Sequence, residues 1–254
     1  MKLTPLFSIP PLFTQFPNII AAESTRHGGI SPTPFASLNL GLNTADAPEN
    51  ITENRRRFFD SLGIAESQVA SSYQVHSTEI LHATSPGRFV GYDALITSQP
   101  GLLLAVGVAD CVPILVYDAD NQAAAAIHAG WRGTVGTLVS KTLREMQTRF
   151  GTQPAHCYAY VGTCIDETSF EVGAEVAEQF GDTFKRKALT GDKWFVDLKI
   201  TNARQLTDFG IPEAQISVSP FSTVLNNADY FSHRHEHGQT GRMLAVIGIG
   251  PLAQ

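Results

Sequence analysis

Three segments of this chain each carry one side chain able to ligate a metal or act as a nucleophile. They are Gln74-Val75-His76-Ser77, Ala109-Asp110-Cys111-Val112-Pro113 and His128-Ala129-Gly130-Trp131-Arg132-Gly133-Thr134. Two imidazoles and one thiolate make a three-ligand set, and a zinc ion so held keeps a fourth position for water or substrate, the mark of a catalytic rather than a structural metal. Structural zinc motifs space their ligand pairs about two to five residues apart, and the three cysteines contain no such pair. A site at His76, Cys111 and His128 therefore forms only if the fold brings distant segments together. Two other chemistries use the same residues. A His2Cys set suits copper, given a weak axial ligand. A metal-free Cys111 would be a nucleophile with His128 or His76 as its base.

The elements that must position these groups follow from hydrophobic patterning. Strand-like runs cover 19–24, 68–75, 102–108, 113–117, 123–129, 156–161, 216–219 and 244–249. Several are continuously apolar, which predicts strands covered on both faces. Helical patterns cover 48–62, 134–150, 171–180 and 198–209, each bounded by glycine. Strands and helices without strict alternation predict an α+β fold, a mixed β-sheet core with flanking helices, in a single domain over residues 1–254. His76 is expected to close a strand, Cys111 to sit in a short break between two strands, and His128 to end a strand that leads through glycines into a helix. Strand ends and helix N-termini are where such folds assemble sites.

Composition narrows the partners. A net charge of −6 argues against a broad nucleic-acid surface, although a few arginines in a pocket still suit a small anion. Three cysteines do not make a disulfide framework, and MKLTPLFSIPPLF, with one lysine and interrupting prolines, does not read as a signal peptide. No apolar stretch is long enough to span a bilayer. The expectation is a cytoplasmic protein with no nucleic-acid or membrane partner, monomeric or homodimeric. Gly130, Gly133 and Gly136 match neither a dinucleotide fingerprint nor a Walker loop; they permit a tight turn beside His128, or offer amides to an anion. Trp131 is either core packing or a wall for a flat base. The tract His233-Arg234-His235-Glu236-His237 has the composition of a weak metal binder rather than a catalytic one.

The segments QVHS, ADCVPI and HAGWRGT resemble the signature blocks of the YfiH-like family, long labelled multicopper polyphenol oxidoreductase (laccase) and linked to purine nucleoside phosphorolysis. The resemblance extends to Thr25–Ser31, Ala36–Gly41, Glu53–Arg57, Phe170–Gly173 and Thr240–Met243, in the family's order. It implies phosphorolysis of adenosine, inosine and methylthioadenosine, with adenosine deamination as a companion activity, and a catalytic zinc on His76, Cys111 and His128. Copper oxidation of phenols, the older label, remains an alternative, but the histidines needed for a second copper cluster are lacking. A cysteine-dependent hydrolase editing a cell-wall precursor is another, after relatives called peptidoglycan editing factor. Asp110, beside Cys111, either orients a ligand histidine or moves a proton. Arg26, Arg55, Arg132, Arg234 and Arg242 lie in or beside resembling blocks and are candidates to hold phosphate or substrate, with a structural ion pair as the competing role for each. Asn39 is a candidate to read a ribose or base edge, or to cap a turn. The chain departs from the family at His235, where relatives carry arginine, at Val108, where many carry threonine, and over Thr163–Glu167, so Cys164 receives no catalytic role.

Overall fold

The computed structural model describes residues 5–250. Among them the chain runs through β1 (Phe7–Ser8), β2 (Ile19–Ser24), α1 (Pro48–Ser61), β3 (Val69–Tyr73), β4 (Ile80–His82), β5 (Gly87–Val90), β6 (Ala94–Thr97) and β7 (Leu103–Val108). It continues through β8 (Val112–Asp118), β9 (Ala123–Ala129), α2 (Trp131–Val135), α3 (Leu138–Phe150), β10 (Cys157–Val161), β11 (Glu171–Val172) and α4 (Ala174–Ala177). The last elements are β12 (Lys185–Lys187), β13 (Trp194–Val196), α5 (Leu198–Phe209), β14 (Ile216–Val218) and β15 (Met243–Ile249).

Two six-stranded mixed sheets form the body, in the orders β1-β2-β15-β7-β3-β5 and β14-β10-β8-β9-β6-β4, with β11-β13-β12 as a small third sheet. The fold is α+β with mixed sheets, as expected. The central strands β7, β8, β9 and β15 are continuously apolar because the middle of each large sheet is covered on both faces. Leu104 and Val106 of β7, Ala245 and Ile247 of β15, Leu115 and Tyr117 of β8, and Ala124 and Ala126 of β9 meet in one buried cluster between the sheets. One residue along, Leu103, Ala105, Leu244 and Val246 point the other way and pack against Phe58 and Phe59 of α1. On the far side Ile114, Val116, Ala125 and Ile127 pack against Leu143 and Met146 of α3 and Leu206 of α5. The period-two alternation of strand side chains thus feeds two apolar layers from each strand.

Three sequence expectations are corrected. The run ending at Val75 leaves the sheet at Tyr73, so His76 lies in a turn with φ 59° rather than closing a strand. The helix expected over 134–150 is two helices, because Thr137 adopts a left-handed φ of 56° and breaks the ladder between α2 and α3. The helix expected over 171–180 is a strand, β11, paired with β13, followed by the single turn α4.

Chain crossings between the large sheets matter most for function. The links β3→β4, β5→β6 and β7→β8 each carry the chain from the first large sheet to the second, and β4→β5, β6→β7 and β14→β15 bring it back. Replacing Leu104, fully buried between the sheets, with alanine should cost about 2–5 kcal/mol, read as a lower urea midpoint at unchanged slope. A loss under about 1 kcal/mol would mean that the two sheets close over the gap and are not held by this layer.

Candidate metal centre

The three crossings from the first sheet to the second deliver polar groups to the same end of the sandwich. His76 comes from β3→β4, Asp93 from β5→β6, and Asp110 and Cys111 from β7→β8, while His128 sits near the end of β9. The ligand atoms of His76, Cys111 and His128 all lie within 4.8 Å of one another. Cys111 Sγ is 3.8 Å from His76 Nε2, close to the ~3.6 Å separating a thiolate and an imidazole on a tetrahedral zinc. The two imidazole rings stand 5.0 Å apart at 72°. Gly130 keeps the space beside His76 and Cys111 free: a Cβ there would lie 2.9 Å from His76 Cδ2 and 3.1 Å from Cys111 Sγ. Among the described residues this is the one group of three or more His, Cys, Asp and Glu side chains so placed. Its donor set suits a zinc ion with an open position.

The electrostatics follow from burial and neighbours. Burial pushes the Cys111 thiol up, but His128, by charge and hydrogen bond, and His76 outweigh it and bring the thiol down to about 6. Burial disfavours charge on His128, yet the Cys111 thiolate and Asp93 outweigh that and raise it to about 9. The metal-free pair is therefore a thiolate beside an imidazolium between those two values. Cys157 and Cys164 show the contrast, since burial pushes Cys157 up to about 12 and raises Cys164 further.

Asp93, which the sequence reading did not single out, is fully buried and accepts a hydrogen bond from His128 Nδ1 at 2.8 Å. This leaves Nε2 of His128 for the metal. Burial would raise the Asp93 carboxyl, but His128 and the donors of Ser77 bring it below its usual value. The sequence cue is faint: an acidic residue opening the apolar run Ala94-Leu95-Ile96. Gln74 steadies the same turn, its amide donating to Gly107 O at 2.9 Å and accepting from Gly107 N at 2.8 Å.

A cavity of about 400 Å³ opens beside the three ligands, its walls including Arg55, Arg88, Arg234, Arg242, Asp110, Tyr73 and Phe170. Arg234 spends one guanidinium nitrogen on Ser169 O and Glu171 O, and Arg242 spends one on Thr240 O and Gly241 O. Arg55 is buried, donates to Leu40 O and pairs with Glu66. Arg88, also absent from the sequence reading, donates to Asn43 Oδ1; nothing in the stretch Gly87-Arg88-Phe89-Val90 marks it out. Asp110, with φ 83°, accepts from Thr223 Oγ1, Ser232 Oγ and the amide of Arg234. The carboxylate on His128 is thus Asp93, and Asp110 ties down the segment that carries Arg234.

Three other candidates stand away from the cavity. Arg26 pairs with Glu236 at 2.9 Å and donates to Ala36 O and Asn227 O. Arg132 lies over the ring of Trp131, which packs on the core beneath α3. Asn39 is fully buried, and its Oδ1 accepts from the amides of Gly41 and Arg242, so it holds the cavity rim from behind. In the histidine tract His233 lines the cavity and Glu236 turns inward to Arg26.

Comparison with known proteins adds an independent line. The profile described as "Multi-copper polyphenol oxidoreductase laccase" matches residues 20–250. A protein of Deinococcus radiodurans named purine nucleoside phosphorylase is 39% identical over 235 residues, covering 90% of this chain and 88% of its own. Purine nucleoside phosphorylase YfiH of Escherichia coli is 34% identical, covering 95% and 98%. The crystal structure of YlmD from Geobacillus stearothermophilus superposes with a TM-score of 0.92 at 32% identity, over 99% and 98% of the two chains. No described helix is long and apolar enough to cross a membrane.

Two measurements test the centre. Alkylation of Cys111 in metal-free protein should rise with pH through a midpoint near 6, because only the thiolate reacts and its folded pKa is depressed to about 6. Zinc should block the reaction; a midpoint near an ordinary thiol's ~8.5 would refute the thiolate–imidazolium pair. Gly130→Ala should weaken zinc binding by at least about tenfold with the fold intact, since its Cβ meets two of the ligands. Unchanged affinity by chelator competition would show that the ion sits elsewhere.

Proposed function

The chain belongs to the multi-copper polyphenol oxidoreductase laccase family, and we propose that it is a zinc-dependent purine nucleoside phosphorylase. The observation that carries this reading is the meeting of His76, Cys111 and His128 on the wall of a cavity that also presents arginines. The names of the relatives support the nucleoside and phosphate as its substrates. Adenosine, inosine and methylthioadenosine are the expected nucleosides, with adenosine deamination as a side activity. Residues 1–254 are read as one such catalytic unit.

His76, Cys111 and His128 would hold the zinc, which when bound supplies a Lewis acid and lowers the pKa of water. Arg234 and Arg242 keep guanidinium nitrogens free of their backbone bonds and would hold phosphate by charge-assisted hydrogen bonds. Phe170 and Tyr73 offer apolar faces for the purine. A phosphate oxygen forms a bond to ribose C1′ as the C1′–N9 bond breaks, and the bonding pair leaves on the purine, which takes up a proton. Asp110 fixes the Arg234 amide at 2.6 Å, and so sets where that cation stands.

One observation favours a second reading. Cys111, His128 and Asp93 are arranged as thiol, imidazole and orienting carboxylate, which without metal is the layout of a cysteine hydrolase. Oxidation by several coppers has no comparable support, because the described residues provide one donor group and no second cluster.

Incubation with adenosine separates these readings. With phosphate the products should be adenine and ribose 1-phosphate; without it, inosine alone. Cys111→Ala should abolish turnover and tight zinc together. Adenine release indifferent to phosphate would make the enzyme a hydrolase, and loss of activity with zinc retained would favour the nucleophilic cysteine.

A further inference from the structure

Asp93 does more than orient His128. Five donors converge on its fully buried carboxylate. Oδ1 accepts from His128 Nδ1 at 2.8 Å and from the amide of His76 at 3.1 Å. Oδ2 accepts from the amides of Val75 at 3.2 Å and Ser77 at 2.6 Å, and from Ser77 Oγ at 2.9 Å. The backbone of Asp93 joins in, its carbonyl accepting from His128 N at 2.7 Å.

Three consecutive amides turned onto one anion form a nest, a conformation that requires a left-handed residue and that an anion stabilises. The left-handed residue here is His76, at φ 59°. A non-glycine residue held there is strained and persists only where surroundings impose it. The imposing group is the Asp93 carboxylate, and the strained residue is itself a ligand.

We propose that Asp93 is the positioning residue of the metal centre: one carboxylate oxygen fixes both the backbone that carries His76 and the ring of His128, so two ligands are set relative to each other before an ion arrives. The third ligand is held from the opposite side. Ile165 N donates to Asp110 O, and the Asp110 carboxylate is tied to Thr223, Ser232 and Arg234. Asp93 and Asp110 are thus the anchors of the three crossing segments, one for the histidines and one for the cysteine.

This inference rests on the metal reading, and the two fail separately. Histidine ¹⁵N spectra of metal-free protein read the anchor without any ion. Above about pH 9, where the His128 ring is neutral, the wild type should keep its proton on Nδ1, and in Asp93→Asn that preference should be lost. Zinc affinity of the folded variants, measured against a chromophoric chelator, should fall by roughly 10–100-fold for Asp93→Asn. Ser77→Ala, which removes one donor and touches neither histidine, should fall by a few-fold and serves if Asp93→Asn does not fold. A purely structural Asp93 would lower the melting temperature yet leave the tautomer and the zinc affinity of the folded protein unchanged. That result, or unchanged affinity in Ser77→Ala, overturns the proposal. Wild-type protein that binds no zinc overturns the metal centre instead, while the tautomer comparison still decides the role of Asp93.

Discussion

Covering both faces of the central strands of both large sheets constrains everything else in this protein. A strand buried on two sides has no solvated face on which to carry a polar side chain, and an unpaired polar group there would cost several kcal/mol. Strand β9 shows the extreme, with Ala123 to Ala126 fully buried between α3 and the opposite sheet. Chemistry is therefore driven to the ends of the strands. At one end the chain crosses between sheets again and again, and there His76, Cys111, His128, Asp93, Asp110 and the cavity arginines collect.

Crossing segments carry backbone groups that the ladders cannot satisfy. Two buried or half-buried carboxylates meet that need here. Asp93 takes up the amides of Val75, His76 and Ser77, and Asp110 takes up that of Arg234. Their charges have a second effect. Asp93 favours a proton on His128, and His128 in turn favours a thiolate at Cys111. One series of hydrogen bonds thus shapes the loop and favours charge on the sulfur, so His76, Cys111 and His128 are placed and ionised by the same contacts.

How much of this the sequence discloses depends on the range of the interaction. The strands of the core were legible because their apolar runs are local, and 19–24 and 198–209 coincide with β2 and α5. The break at Thr137 was not, since a β-branched residue carries no local sign of a left-handed conformation. His76, Cys111 and His128 stood out by residue type and by resemblance, but their convergence depends on which sheet each strand joins, a property of the whole topology. Asp93 and Arg88 were passed over because the first looks like an ordinary strand-opening acid and the second like a surface cation.

Residues within recognisable blocks divide into two kinds, and the division has a physical basis. Asn39 and Arg26 are polar and lie within such segments, yet their bonds are spent on amides, carbonyls and Glu236 behind the cavity. Arg234 and Arg242 lie in or beside similar blocks but keep part of each guanidinium unspent toward the cavity. A group with all its hydrogen-bonding capacity used inside the protein builds the wall; one with capacity left over can meet a ligand. In a chain of net charge −6, that remainder makes the cavity a local cationic exception that favours an anion beside His76, Cys111 and His128.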